Sequence, residues 1–144
     1  MRLIFSLFLL LSSVSVDATT SDELFILDAE VRQPMPGRTV TSAYFTLTNR
    51  FDHPVTLVGA SSDAFERVEL HQHSHKDGVM RMEKLEQIEI AADSSLVLQP
   101  GGLHLMLFNP TIDLIPGQKV AVQLKFVGGE QLDTTLIVVA MPKR

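Results

Sequence analysis

The chain has 144 residues, 45% of them hydrophobic, and a formal net charge of −5. That length suits one domain with a proper core, and the mild acidity leaves no electrostatic footprint for nucleic acid or an anionic membrane. Cysteine is absent, which excludes disulfides, zinc ribbons, thiol redox chemistry and a blue-copper thiolate site.

The N-terminus is ordered like an export signal. Arg2 supplies a positive start, Leu3 to Leu11 is an apolar run, and Val16-Asp17-Ala18 offers small residues where a signal peptidase reads. Cleavage is expected after Ala18, leaving residues 19–144 as the mature domain. The apolar run is too short to span a bilayer comfortably, and no later run is long enough. Removal takes one base, Arg2, and one acid, Asp17, so the charge balance is unchanged. A short exported chain of this kind is expected in a bacterial periplasm, held together by its core alone.

The mature segment reads as β-structure throughout. Phe25 to Val31 alternates loosely until Pro34-Met35-Pro36-Gly37 breaks the pattern. Ala43 to Asn49 is rich in aromatic and β-branched residues, as strands are. After a turn around Phe51-Asp52-His53-Pro54 comes Val55 to Val58, and a short helical turn fits Ser61 to Phe65. Glu66 to His71 alternates polar and apolar, so one side faces a core. Ser74 to Gly78 reads as a polar loop, followed by strand-like pieces around Leu85 and Ile88. Ser95 to Gln99 is stopped by Pro100-Gly101-Gly102, and Leu103 to Phe108 by Asn109-Pro110. Lys119 to Phe126 alternates strongly, Gly128-Gly129 suits a hairpin turn, and Gln131 to Val139 closes the domain. About eight or nine short strands between turn signals predict one all-β domain, an antiparallel sandwich or barrel.

Four soft metal-binding side chains stand out: His71, Met82, His104 and Met106, spaced as His, ten residues, Met, twenty-one residues, His, one residue, Met. A thioether is a soft, neutral donor that selects Cu(I) over harder divalent ions. Strand alternation puts His104, Met106 and Phe108 on one face and Leu103, Leu105 and Leu107 on the other. In the same way His71 shares a face with Arg67 and Glu69, while Val68 and Leu70 take the core side. The polar loop is expected to return Met82 toward His71, with Met80 on the same side as a competing candidate. In an extended chain His71, His73 and His75 face one way. That suits either a Cu(II) or zinc surface site or a solvated loop with incidental histidines; His75 fits the loop reading, and His73 stays open between the two. No hydrolase constellation, His-Glu-x-x-His motif or phosphate-binding glycine loop is present, so the chain does not read as an enzyme.

These four residues and their surroundings resemble the PCuAC family of periplasmic copper chaperones. The supporting stretches are Tyr44 to Asn49, Val68 to His71, Gly78 to Met82 and Pro100 to Leu107, and the similarity covers most of residues 24–140. The resemblance implies a cupredoxin-like antiparallel β-sandwich; a monomer is expected. It also implies one Cu(I) per chain, held by His71, Met82, His104 and Met106. The ion would pass to a copper-accepting protein, either the copper centre of cytochrome c oxidase or another copper chaperone. Two departures stand out. Members often carry a tryptophan near the first strand, and this chain has none; some carry a Met- and His-rich tail, whereas this chain closes on Met141-Pro142-Lys143-Arg144. A sandwich interaction module with incidental His and Met, or a periplasmic copper-storage or resistance protein, are the competing readings.

Overall fold

The structure, a computed structural model, describes residues 22–142; the expected leader, residues 1–18, lies outside them. Period-two alternation builds most of it. In β2 (Val40–Asn49) every second residue from Thr41 to Asn49 is buried. In β9 (Lys119–Phe126) the same holds for Val120, Val122, Leu124 and Phe126. Each such strand gives one face to a core and the other to solvent.

The remaining strands are β1 (Leu24–Arg32), β3 (Val55–Ser61), β4 (Phe65–Lys76), β5 (Val79–Leu85), β6 (Ile88–Ile90), β7 (Ser94–Leu98), β8 (Leu103–Pro110) and β10 (Gln131–Val139). They pair in the order β5-β4-β8-β2-β1-β10-β9-β3-β6, and β7 joins β2 beyond the end of β8. Inner-face residues from both halves of this path, among them Phe45, Leu47, Leu105 and Leu107 against Leu57, Leu124 and Leu136, form one buried cluster. The fold is therefore a cupredoxin-like β-sandwich in one domain. Its ladders are antiparallel except for β1 and β10, which run parallel. That pairing joins the two ends of the described chain, a contact no local pattern encodes.

Two local expectations change. Ser61 to Phe65 holds a turn at Asp63-Ala64, not a helical one, closed by Phe65 N–H donating to Ser62 O at 3.3 Å. Nor is Ser74 to Gly78 a loop. Strand β4 runs on to Lys76, and a two-residue turn, Asp77-Gly78, leads directly into β5. Both turn residues have positive φ, 54° and 74°, the backbone of a type I′ hairpin, whose twist matches that of the flanking strands. The tight turn fixes the register as Lys76 opposite Val79, His75 opposite Met80 and His73 opposite Met82.

A Cβ added at Gly78 meets nothing within 4 Å, so its replacement costs backbone energy rather than space. Gly78→Ala should destabilise the domain by about 1–2 kcal/mol, the cost of left-handed backbone for an L-residue. Urea unfolding measures it; an unchanged midpoint would mean that this turn does not hold the hairpin.

Candidate metal centre

The site is built on the outer face of β5, β4, β8 and β2. Strands β4 and β8 pair with His71 opposite His104, Glu69 opposite Met106 and Arg67 opposite Phe108. Residues directly opposite one another project from the same face. The other face of the ladder pairs Leu70 with Leu105 and Val68 with Leu107, and both β8 leucines are fully buried. Strand β5 adds Met82 opposite His73, and β2 adds Ser42 opposite Met106. All four residues singled out by spacing thus lie on one face.

The imidazoles cluster most closely. Ring centroids of His71 and His104 are 5.9 Å apart, and those of His73 and His104 only 5.0 Å. His104 is 2% exposed despite facing away from the leucine core; Tyr44, His71 and His73 surround its ring. Met106 is half-buried beside it, while Met82, on the edge strand, is 46% exposed. Met82 stands opposite His73, one pair away from His71, because the Asp77-Gly78 turn sets that register. Met80 and His75 are exposed farther out on the hairpin.

Hydrogen bonds decide which nitrogens are free. His104 Nδ1 lies 3.1 Å from the carbonyl oxygen of Gly102. A carbonyl only accepts, so Nδ1 carries the proton and Nε2 keeps its lone pair. His71 Nε2 lies 2.8 Å from Glu69 Oε2, so Nε2 donates and Nδ1 is left as the acceptor. His104 Nε2, His71 Nδ1 and His73 Nδ1 are all buried without a hydrogen-bond partner. Buried polar atoms are nearly always satisfied, and three orphans in one cluster mark a place where a water, an ion or another partner belongs. In a metal site the second nitrogen of a ligating histidine donates to a carboxylate or carbonyl that fixes ring and tautomer, and His71 and His104 each have such a partner.

Charge is arranged to match. Glu69 receives His71 on one oxygen and Arg67 Nε at 2.8 Å on the other, with Lys84 Nζ at 3.9 Å. The hydrogen bond from His71, helped by the Arg67 and Lys84 charges, holds its carboxyl below the ordinary value, although burial pulls the other way. Arg67 is itself placed by stacking 4.1 Å over the Phe108 ring. Burial pushes His104 below the ordinary histidine value, seconded by nearby His73 and His71, and the Gly102 hydrogen bond only partly opposes this. His104 is therefore a neutral donor at neutral pH.

Among the described residues, no three His, Cys, Asp or Glu side chains are closed tightly enough to hold an ion by themselves. The sulfurs of Met82 and Met106 are the other soft donors on this face. Sequence spacing alone missed Glu69 and left His73 undecided. The signals were there as Glu-x-His-x-His, alternate residues of one strand. The Gly102 carbonyl left no signal, since backbone acceptors carry no residue code.

A family model described as "Putative lipoprotein LpqE-like" matches residues 24–138. The chain belongs to the LpqE-like family. An uncharacterized protein of Rickettsia prowazekii, RP573, is 32% identical to this LpqE-like chain over 126 residues, covering 80% of the chain and 70% of that protein. Two solved structures share its fold. The copper-bound PCuAC domain from PmoF2 superposes with a TM-score of 0.69 at 23% identity, covering 83% of this chain and 94% of that one. The solution structure of CuI-DR1885 from Deinococcus radiodurans gives 0.66 at 31% identity, covering 85% and 83%. No helix among the described residues is long and apolar enough to cross a membrane.

The lowered His104 value makes the metal-free LpqE-like domain acid-sensitive. The unfolded chain binds the His104 proton more readily than the folded one. Stability from this group is therefore complete above the ordinary value of about 6.5 and is lost as pH falls through the folded value. Urea midpoints of the metal-free protein should drop from pH 7.5 to pH 5, and His104→Gln should flatten that slope. Equal slopes in the two proteins would contradict the burial of a neutral His104.

Proposed function

We propose that this chain is a metallochaperone that binds one Cu(I) through His71, Met82, His104 and Met106 and passes it to a copper-accepting protein outside the cytoplasm. The observation that carries this reading is the pair of buried, unpartnered nitrogens, His71 Nδ1 and His104 Nε2, on residues directly opposite across β4 and β8. With nitrogen–metal bonds of about 2.0 Å, each ring centroid stands about 3.2 Å from a shared ion, so two rings at a tetrahedral angle stand about 5 Å apart and at wider angles about 6 Å apart. The separation here is 5.9 Å.

The two methionines complete a set of two nitrogens and two sulfurs. All four donors are neutral, so a monovalent ion is held without a compensating anion in contact with it, and the thioethers select Cu(I). The three nitrogens do not close a site without the sulfurs, which favours a soft ion over zinc. The PmoF2 domain and DR1885, described as copper-bound and Cu(I)-bound, supply the same expectation for the shared fold.

Transfer follows from exposure. His104 is sealed in, but Met82 sits on an edge strand and is half open to solvent. An incoming ligand of the acceptor reaches the ion from the Met82 side and displaces the thioether before the imidazoles let go. No thiolate competes for the ion on the donor side, so a cysteine-containing acceptor draws copper onward. The resemblance to PCuAC proteins points to the copper centre of cytochrome c oxidase as the destination. The leader-like N-terminus and the lipoprotein description of the LpqE-like family support a site of action beyond the cytoplasmic membrane, the periplasm of a bacterium.

Competition titration with a Cu(I) chelator tests the proposal. The wild-type protein should take up one Cu(I), and His104→Ala and Met106→Ala should each weaken binding by about tenfold or more, at least the loss seen when a ligand's supporting partner is removed. Unchanged affinity in both variants would end the assignment.

A further inference from the structure

We propose that β5 is a docking edge for a second copy of this chain, and that the two copies pair antiparallel about a two-fold axis through Met82. Strand β5 ends the path of paired strands, and among the described residues β4 is its only partner. Its outer edge therefore presents a row of backbone N–H and C=O groups with no neighbouring strand, a ready template for another one. The strand also carries apolar side chains into solvent: Val79 is 51%, Met80 58% and Met82 46% exposed. The inference goes beyond the copper reading and does not depend on it.

Symmetry and charge select one register. Direct partners across an antiparallel pair share a face, so a two-fold axis perpendicular to the sheet must set one residue opposite itself. Only Met82, the middle of Val79–Leu85, lets all 7 residues of the strand pair. That register sets Arg81 of each copy opposite Glu83 of the other. The two opposite-charge pairs have Cβ atoms about 5 Å apart, while like charges meet only on the diagonals, at about 7–8 Å. Val79 meets Leu85, and Met80 meets the alkyl stem of Lys84. An axis at Arg81 or at Glu83 would set that charge directly against itself, which is destabilising. Among the described residues neither Arg81 nor Glu83 makes an ion pair within the chain, and both are exposed. Charges on an edge commonly block strand addition; here they block the neighbouring registers and admit this one.

The axis joins the outer faces of the two copies. Met82 projects from that face beside His73, so the Met82 side chains of the two copies pack against each other and lose part of their exposure. Where the copper reading holds, pairing closes the open side of each site, and the monomer is the form that hands copper on. A single strand pair is a small contact, at the weak and transient end of protein interfaces. The dilute chain stays a monomer, as its sequence leads one to expect, and pairs as its concentration rises.

Sedimentation velocity of the metal-free protein, from about 10 μM to about 1 mM, spans the range in which a weak contact of this kind associates. The proteins compared are wild type, Arg81→Glu, Glu83→Arg and the double variant carrying both changes. Circular dichroism checks that each is folded, and two single variants keep the conclusion independent of either one. Wild type should shift from monomer to dimer within the range. Each single replacement turns both symmetric pairs into like charges and should weaken association by about tenfold or more. The double variant restores opposite charges and should return to within about threefold of wild type, as a coupled pair requires. A wild type still monomeric at about 1 mM, single variants that dimerise like wild type, or a double variant no better than the singles would each overturn the proposal. Arg81 and Glu83 are not proposed copper donors, so the Cu(I) titration described above judges the carrier separately.

Discussion

The register of β4 against β8 is the constraint from which the site follows. Leu70, Leu105 and Leu107 lie on the inner face of that ladder and are essentially fully buried. Burying a leucine contributes about 1.5–3 kcal/mol, so these three together are worth a large part of a typical domain stability of about 5–15 kcal/mol. A slip of one residue would turn the leucines to solvent and the histidines into the core. Hydrophobic burial on one face therefore enforces the meeting of His71 and His104 on the other. The proposed metal donors need no contribution of their own to be brought together.

Electrostatics then prepares the donors. Glu69, kept ionised by the His71 hydrogen bond and by Arg67 and Lys84, turns the Nδ1 of His71 toward the cluster. Phe108 holds Arg67 in place from the same face. On the neighbouring strand the Gly102 carbonyl does for His104 what Glu69 does for His71. Leaving a buried polar atom unpaired costs about 1–3 kcal/mol, and this face leaves three. The sandwich core sustains that cost, and an ion would relieve it. A carboxylate just behind one ligand also adds favourable charge near a bound cation without entering its coordination sphere.

Much of this was legible in the sequence, and the losses have identifiable causes. Alternation along Leu103 to Phe108 placed His104 and Met106 opposite a leucine face, as observed. The depth of His104 was not readable, because it depends on Tyr44 and His73 from two other strands. The stretch from Ser74 to Gly78 was read as a loop on its polarity. Polarity there reflects an exposed hairpin, and Asp77-Gly78 with alternating flanks is the stronger signal. The tight turn returns Met82 to the face of His71, as expected, with His73 as its direct partner. The parallel pairing of β1 with β10 joins distant parts of the chain and leaves no mark in either strand's own pattern.

Edge placement links the structure to transfer. Strand β5 has one paired neighbour, so Met82 meets solvent while His104, three strands deep in the order, does not. In the proposed carrier, donors at unequal depth give one firm end and one labile end. X-ray absorption at the copper edge of the Cu(I)-loaded protein tests the central claim most directly, because it counts the neighbours of the ion. Two sulfur neighbours at about 2.3 Å together with two nitrogens at about 2.0 Å are predicted from the usual bond lengths of these donors. A shell of nitrogen and oxygen alone, with no sulfur, would contradict the account.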